Sequence, residues 1–223
     1  MKAGNFSYRS GRDIDSVIPV FPLSAALLLP GGRLPLNIFE PRYLAMTDHA
    51  LSGGRLIGMV QPRLDGATRP DGEPALCDVG CVGRLGSVSE TGDGRYLITL
   101  IGICRFRLLE ELSVKTPFRQ CRILPFESDL HDDPEEPEVD RAALLRAFRA
   151  YLEANDLEAD WDSVHQAEDA SLVNALSMMV PYGPAEKQAL LEAPDLKTRA
   201  DTLIAITEIV LAQGEGDATH RLQ

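Results

Sequence analysis

The chain has 223 residues and a mass of 24.4 kDa, enough for one or two domains around a sizeable hydrophobic core, which excludes a small disulfide-stapled scaffold. With 44% hydrophobic and 25% charged residues it is too apolar for a disordered chain and too polar for a membrane bundle. The formal net charge of −12 opposes nonspecific binding to a phosphate backbone.

That charge is uneven: residues 1–124 carry 15 basic and 12 acidic side chains, whereas residues 125–223 carry 7 and 22, which points to two regions. Residues 1–16 are polar and read as a flexible leader with no apolar signal segment. From Val17 onward Pro19, Pro22, Pro30 and Pro35 cut the apolar runs into pieces suited to short strands, with a turn at Pro30-Gly31-Gly32. Glu40 followed by Pro41 marks a helix start, and the helix is expected from Pro41 to about Leu51. LIGMVQ at 56–61 reads as a strand, and a Pro/Gly/Asp-rich loop follows from Pro62 to Pro74. Residues 81–90 and 95–111 flank Thr91-Gly92-Asp93-Gly94 as a hairpin, and 119–125 can close the sheet. Short strands with frequent turns predict a curled, barrel-like β domain over 17–127.

Residues 128–140 are acidic and contain two prolines, the signature of a solvated linker. Beyond them the apolar spacing is helical, with Leu196, Ala200, Leu203, Thr207 and Val210 near one stripe, and Pro181 and Pro194 separate the segments. A helical bundle over 141–213 and a flexible tail at 214–223 are expected, an α+β class overall. No run of 18 apolar residues occurs, so no membrane partner and a cytoplasmic location are expected.

Candidate chemistry is sparse. His49, His131, His165 and His220 lie in unlike contexts without an HExxH pattern, and Cys77-x3-Cys81 lacks two further zinc ligands, so no metal or cofactor is expected. The four cysteines, Cys77, Cys81, Cys104 and Cys121, form no CxxC pair and read as reduced core thiols. There is no G-x-S-x-G elbow, Ser87 has no identifiable base, and PGGRLP is not a phosphate loop, so no catalytic residue is assigned. Arg105, Arg107, Arg119 and Arg122 alternate as on the wet face of a sheet, so nucleic acid is not the expected partner. At the IFEPRY junction Glu40 and Arg42 read as structural: the carboxylate can accept early helix N–H bonds or pair with a sheet arginine, either Arg105 or Arg107. Tyr43 is placed to pack the helix on the sheet.

A pattern runs through Phe21-Pro22-Leu23, Leu29-Pro30-Gly31, Pro35-Leu36, Ile38-Phe39-Glu40 and Arg42-Tyr43, then Gly80-Cys81-Val82-Gly83, Gly94-Arg95 and Gly102-Ile103-Cys104-Arg105-Phe106. Together these residues resemble the amino-terminal substrate-binding domain of the ATP-dependent Lon protease, particularly its short stand-alone bacterial forms, from Val17 to about Ala212. The resemblance implies a PUA-like β-barrel followed by a helical subdomain, contacting protein substrates, with the ATPase and peptidase regions absent. It makes Lys187 and Lys197 ordinary surface residues, and Ser24-Ala25-Ala26 departs from the pattern.

The resulting expectation is a noncatalytic module for protein or peptide recognition, an adaptor in proteolysis or quality control. Its partners would be unfolded or exposed protein segments and a protease, with the oligomeric state left open. Capture would use a groove between the sheet and helix 41–51, or a sheet edge, with Pro30, Phe39, Tyr43 and Met46 as peptide-binding candidates. The alternatives are a small-ligand or RNA-binding module, which needs an electropositive groove or aromatic-lined pocket, and a hydrolase with Ser87 or Cys81 beside His49.

Overall fold

A computed structural model describes residues 1–131 and 138–220, with the backbone alone for 214–220. The proline-punctuated first half forms strands. β1 (Lys2–Ala3) and β2 (Phe6–Ser7) pair antiparallel, followed by β3 (Val17–Pro22) and β4 (Arg33–Ile38). Helix α1 (Pro41–Ser52) starts where a proline at the first helical position needs no N–H partner. β5 (Leu56–Pro62), β6 (Leu76–Glu90), β7 (Tyr96–Glu111) and β8 (Arg119–Pro125) complete the sheet. After a 3-10 turn at Glu127–Leu130 come α2 (Arg141–Ala154), α3 (Trp161–Gln166), α4 (Asp169–Met179), α5 (Pro184–Glu192) and α6 (Leu196–His220).

The six-stranded sheet has the order β4-β7-β6-β5-β3-β8. It is mixed: β3 and β5 run parallel, with Val20 opposite Gly58, and the other neighbours run antiparallel. On the edge opposite β6 the long β7 serves two partners in turn, β4 up to Ile101 and β8 from Phe106 onward. Register shifts between Val82 and Gly83 and between Leu85 and Ser87 bend the β6–β7 pair.

This arrangement corrects the expected PUA-like curled β-barrel: the mixed sheet is not closed into a barrel. The β7–β8 contact turns the sheet back on itself, but β4 is left outside that contact with β7 as its one neighbour among the described residues, so the six strands keep an open edge. Pro35 within β4 withholds an N–H donor from that edge, which discourages a further strand from adding there.

The helices share a core with the sheet. One apolar cluster contains Phe21, Leu28, Ile38 and Leu100 from the first half together with Leu144, Leu176, Leu190 and Leu203 from the helices. Strand and helix layers therefore share a core, with α2, α4 and α5 packed on α6 and α5 against β6. The expected flexible leader is packed as well: Ala3, Tyr8 and Ile14 join a second cluster with Ile18, Val20 and Phe106. The Tyr8 hydroxyl accepts a bond from Arg84 at 3.2 Å. Of the acidic linker, residues 132–137 lie outside the described residues, and Asp140 caps α2 by accepting the Ala143 N–H at 2.8 Å. The tail expected from residue 214 is helical through His220, and 221–223 lie outside the described residues.

The turn expected at Pro30-Gly31-Gly32 is fastened to β7. Gly31 has φ of +76°, and its N–H donates to the Gly102 carbonyl at 3.0 Å while the Gly102 N–H donates to Gly32 at 2.9 Å. A side chain at Gly102 would be driven into the Leu29 carbonyl, so this approach needs glycine. Gly102→Ala is expected to lower stability by about 2–3 kcal/mol, the scale of overpacking in a tight interior. In urea unfolding this appears as a lower midpoint with an unchanged slope.

Candidate functional site

A cleft of about 920 Å³ lies between the Pro30–Arg33 turn, the 3-10 turn after β8, α4 and the α5–α6 junction. Its floor is built around Arg105 of β7, whose side chain is almost fully buried. The guanidinium donates to both Asp129 oxygens, from Nε at 2.8 Å and Nη2 at 2.7 Å, and the Arg105 N–H adds a third bond at 2.8 Å. Its remaining donors reach the carbonyls of Leu191 at 3.3 Å, Pro194 at 3.2 Å and Ala193. A planar fork with five donors suits this task, because a carboxylate and a helix C-terminus are engaged at once.

The walls are less polar. Asn174 of α4 donates to the Pro30 carbonyl at 3.1 Å and accepts from Arg199 at 3.0 Å, tying the turn to α4 and α6. Beside it Ala170, Ala175, Met178 and Met179 face the cleft, and Met179 is 75% exposed. Across the cleft, Asp195 caps α6 by accepting the Thr198 N–H at 2.6 Å, which holds its carboxyl below the usual carboxylate range.

Lys187, expected on the surface, is buried behind the α4 wall. Its Nζ donates to the Ser177 and Met178 carbonyls at 2.8 Å each, satisfying the end of α4. Burial pushes its pKa down to about 8.

The structure brings one of the four peptide-binding candidates, Pro30, to this cleft. Phe39 stands 60% exposed after β4, with the Arg95 guanidinium 5.9 Å from its ring centre. Tyr43 and Met46 are core: Tyr43 stacks on Phe21 at 4.2 Å between ring centres, and Met46 is fully buried. The groove expected between the sheet and α1 is filled by these side chains. Glu40 pairs with Arg42 at 3.0 Å and makes no side-chain cap, while Arg42 lies 4.6 Å over the Tyr43 ring. Neither open arginine is its partner: Arg105 takes Asp129, and Arg107 is exposed opposite Leu124. Sequence reasoning missed Asp129, hidden in an acidic run, and the Met178–Met179 pair at a helix end. The departure at Ser24-Ala25-Ala26 has a structural reading: Ala25 has φ of +59° and its N–H donates to Gln61 at 2.8 Å.

The hydrolase constellation is not assembled. Cys81 is fully buried, which raises its thiol pKa well above the usual value, and Ser87 is exposed on β6. The His49 ring packs on Phe118 at 5.2 Å. Among the described residues no group of three acidic, His or Cys side chains could hold a metal ion, and no helix is long and apolar enough to cross a membrane.

The family model for the substrate-binding domain of ATP-dependent protease La (LON) matches residues 17–208. The chain belongs to this family. It corresponds to the non-catalytic substrate-binding region of Lon and not to the protease domain. Similar full-length proteins include Lon protease 2 of Myxococcus xanthus, 29% identical over 200 residues, and the Lon protease of Anaeromyxobacter dehalogenans, 30% identical over 200 residues. These alignments cover 87% of the chain but only 24% and 23% of those proteins, so it spans about a quarter of the length of the curated relatives it matches. Among solved structures, a Lon N-terminal domain protein from Xanthomonas campestris superimposes with a TM-score of 0.60 at 22% identity. The N-terminal domain of the Mycobacterium avium complex Lon protease gives 0.61 at 18%. Each match covers 86% of this chain and 98% of the other, which establishes a shared Lon N-terminal fold.

Two outcomes follow from the buried cations. Arg105→Gln leaves Asp129 buried without its counterion and is expected to lower the unfolding free energy by about 3–5 kcal/mol in denaturant titration. Lys187 has a folded pKa below its unfolded value, so the unfolded chain binds more protons between about pH 8 and 10.5 and stability rises with pH there. A gain of about 1–2 kcal/mol between pH 7.5 and 9.5 is expected from this group. Lys187→Met, compared at the same pH values by chemical unfolding, removes that increment.

Proposed function

We propose that the cleft between the sheet turn and α4 captures exposed apolar segments of unfolded proteins, so that the module acts as an adaptor delivering clients to a protease in the cytoplasm. The observation that carries this reading is the lining itself: an open cleft of about 920 Å³ with Pro30, Met178 and Met179 on its walls above a floor whose central cation is already neutralised. Flexible thioether side chains adapt to varied partners, and a neutralised floor demands no particular charge from the occupant. The RNA and small-ligand alternatives find less support, since among the described residues none that lines the cleft is Phe, Tyr or Trp and the chain carries a net charge of −12.

The test is fluorescence anisotropy with a labelled, reduced and carboxymethylated protein as a permanently unfolded client, against the same protein in its folded form. The unfolded client is expected to bind and the folded one not. Met179→Lys should weaken binding about tenfold without moving the melting temperature, whereas Phe39→Ala should leave affinity unchanged. Loss of binding with Phe39→Ala and retention with Met179→Lys would place recognition on the β4–α1 junction instead.

A further inference from the structure

The sulfur chemistry of the chain is distributed unevenly. Of the five methionines, Met46 and Met59 are buried in the core, while Met1, Met178 and Met179 all line the cleft. Met179 is the last residue of α4 and stands three-quarters exposed, beyond the carbonyls that Lys187 engages. Met178 is half-buried against the Gly32 side of the sheet turn. The cysteines lie elsewhere: Cys81, Cys104 and Cys121 are buried and Cys77 is half-buried. Burial pushes the thiols of Cys104 and Cys121 up to about 12 and raises that of Cys77, so little thiolate is present at neutral pH. Thiol oxidation proceeds through the thiolate, whereas thioether oxidation requires only access to the sulfur lone pair. Among the described residues the most exposed thioether is therefore that of Met179 on the cleft wall, ahead of the half-buried Met1 and Met178.

We propose that Met179 is a reversible oxidation site through which a peroxide switches off capture by the cleft. The inference rests on the client-binding reading above for its consequence, but not for the chemistry. The Met179 sulfur attacks one oxygen of hydrogen peroxide, the S–O bond forms as the O–O bond breaks, and the departing hydroxide takes the remaining peroxide proton and leaves as water. The sulfur loses two electrons and the peroxide gains them. The product sulfoxide replaces a flexible apolar contact with a strong hydrogen-bond acceptor on the wall. A client segment that buried the thioether must then desolvate the sulfoxide oxygen without a donor waiting for it, and its affinity falls. Reduction by a methionine sulfoxide reductase restores the thioether and the wall.

The experiment treats the full chain with hydrogen peroxide, removes the oxidant by desalting, and divides the sample between peptide mass mapping and anisotropy with the carboxymethylated client. Mapping is expected to show a gain of one oxygen at Met179 before Met46 or Met59. Affinity is expected to fall about fivefold and to return with methionine sulfoxide reductase plus a thiol, but not with the thiol alone. Met179→Leu, compared with its own untreated sample, is expected to keep its affinity through the same treatment. Oxidation of Met46 or Met59 as early as Met179 would overturn the site assignment. Oxidised Met179 with unchanged client affinity, or an equal loss in Met179→Leu, would overturn the switch. Absence of client binding before any treatment would instead sink the capture reading itself, and the mass map alone would still decide the site of oxidation.

Discussion

The arrangement of this molecule depends on keeping one buried cation satisfied. Arg105 sits within β7, where its main-chain N–H goes to Asp129, its carbonyl accepts from the Phe126 N–H, and its side chain has almost no water to turn to. A guanidinium so placed is tolerable only if a carboxylate neutralises it and its N–H groups all find acceptors. Asp129 supplies the charge, and the carbonyls of Leu191 in the last turn of α5 and of Ala193 and Pro194 just after it take up the remaining donors. Those carbonyls belong to the negative end of a helix, so the helix dipole and the ion pair act in the same direction. Sheet, 3-10 turn and helical layer thereby meet at a single point.

The character of the cleft follows from that junction. Because the floor cation is already paired, the cleft presents a fixed, neutralised base and leaves adaptability to its walls. Asn174 ties the Pro30 turn to α4, and Lys187 holds the end of α4, so the wall backbone is set while the Met179 side chain projects from it, three-quarters exposed. That division suits recognition of chain segments with no fixed shape: rigid backbone limits the entropy lost by the binder, and unbranched side chains accommodate different occupants.

Much of the local structure was legible in the sequence because it is dictated by local chemistry. Pro41 marked the start of α1, Thr91-Gly92-Asp93-Gly94 marked the β6–β7 hairpin, and the pattern from Phe21 to Tyr43 marked the Lon resemblance. What escaped was set by tertiary pairing. Nothing local shows that β7 divides its length between β4 and β8, and so the open edge at β4 reads from sequence like a barrel. The polar leader hides the apolar anchors Ala3, Tyr8 and Ile14, too widely spaced to show a period. Tyr43 and Met46 looked like binding residues because an amphipathic helix displays the same residues whether its face meets a partner or its own sheet. The cleft stayed hidden because it is assembled from Pro30, Asp129, Asn174 and Met179, separated by up to 149 positions and linked by main-chain carbonyls that leave no trace in composition.

The charge asymmetry acquires a physical meaning in this setting. Residues 125–223 carry 22 acidic against 7 basic side chains, yet the charges that meet at the cleft floor are paired or hydrogen-bonded internally. An acidic exterior makes copies of the module repel one another, which counters association through its own apolar walls. That repulsion acts over roughly a Debye length, about 8–10 Å at physiological salt, whereas apolar capture acts only at contact. A segment reaching the cleft therefore meets a surface whose net charge discourages aggregation at a distance and whose short-range chemistry remains undemanding, two properties that a single uniformly charged or uniformly apolar surface could not combine.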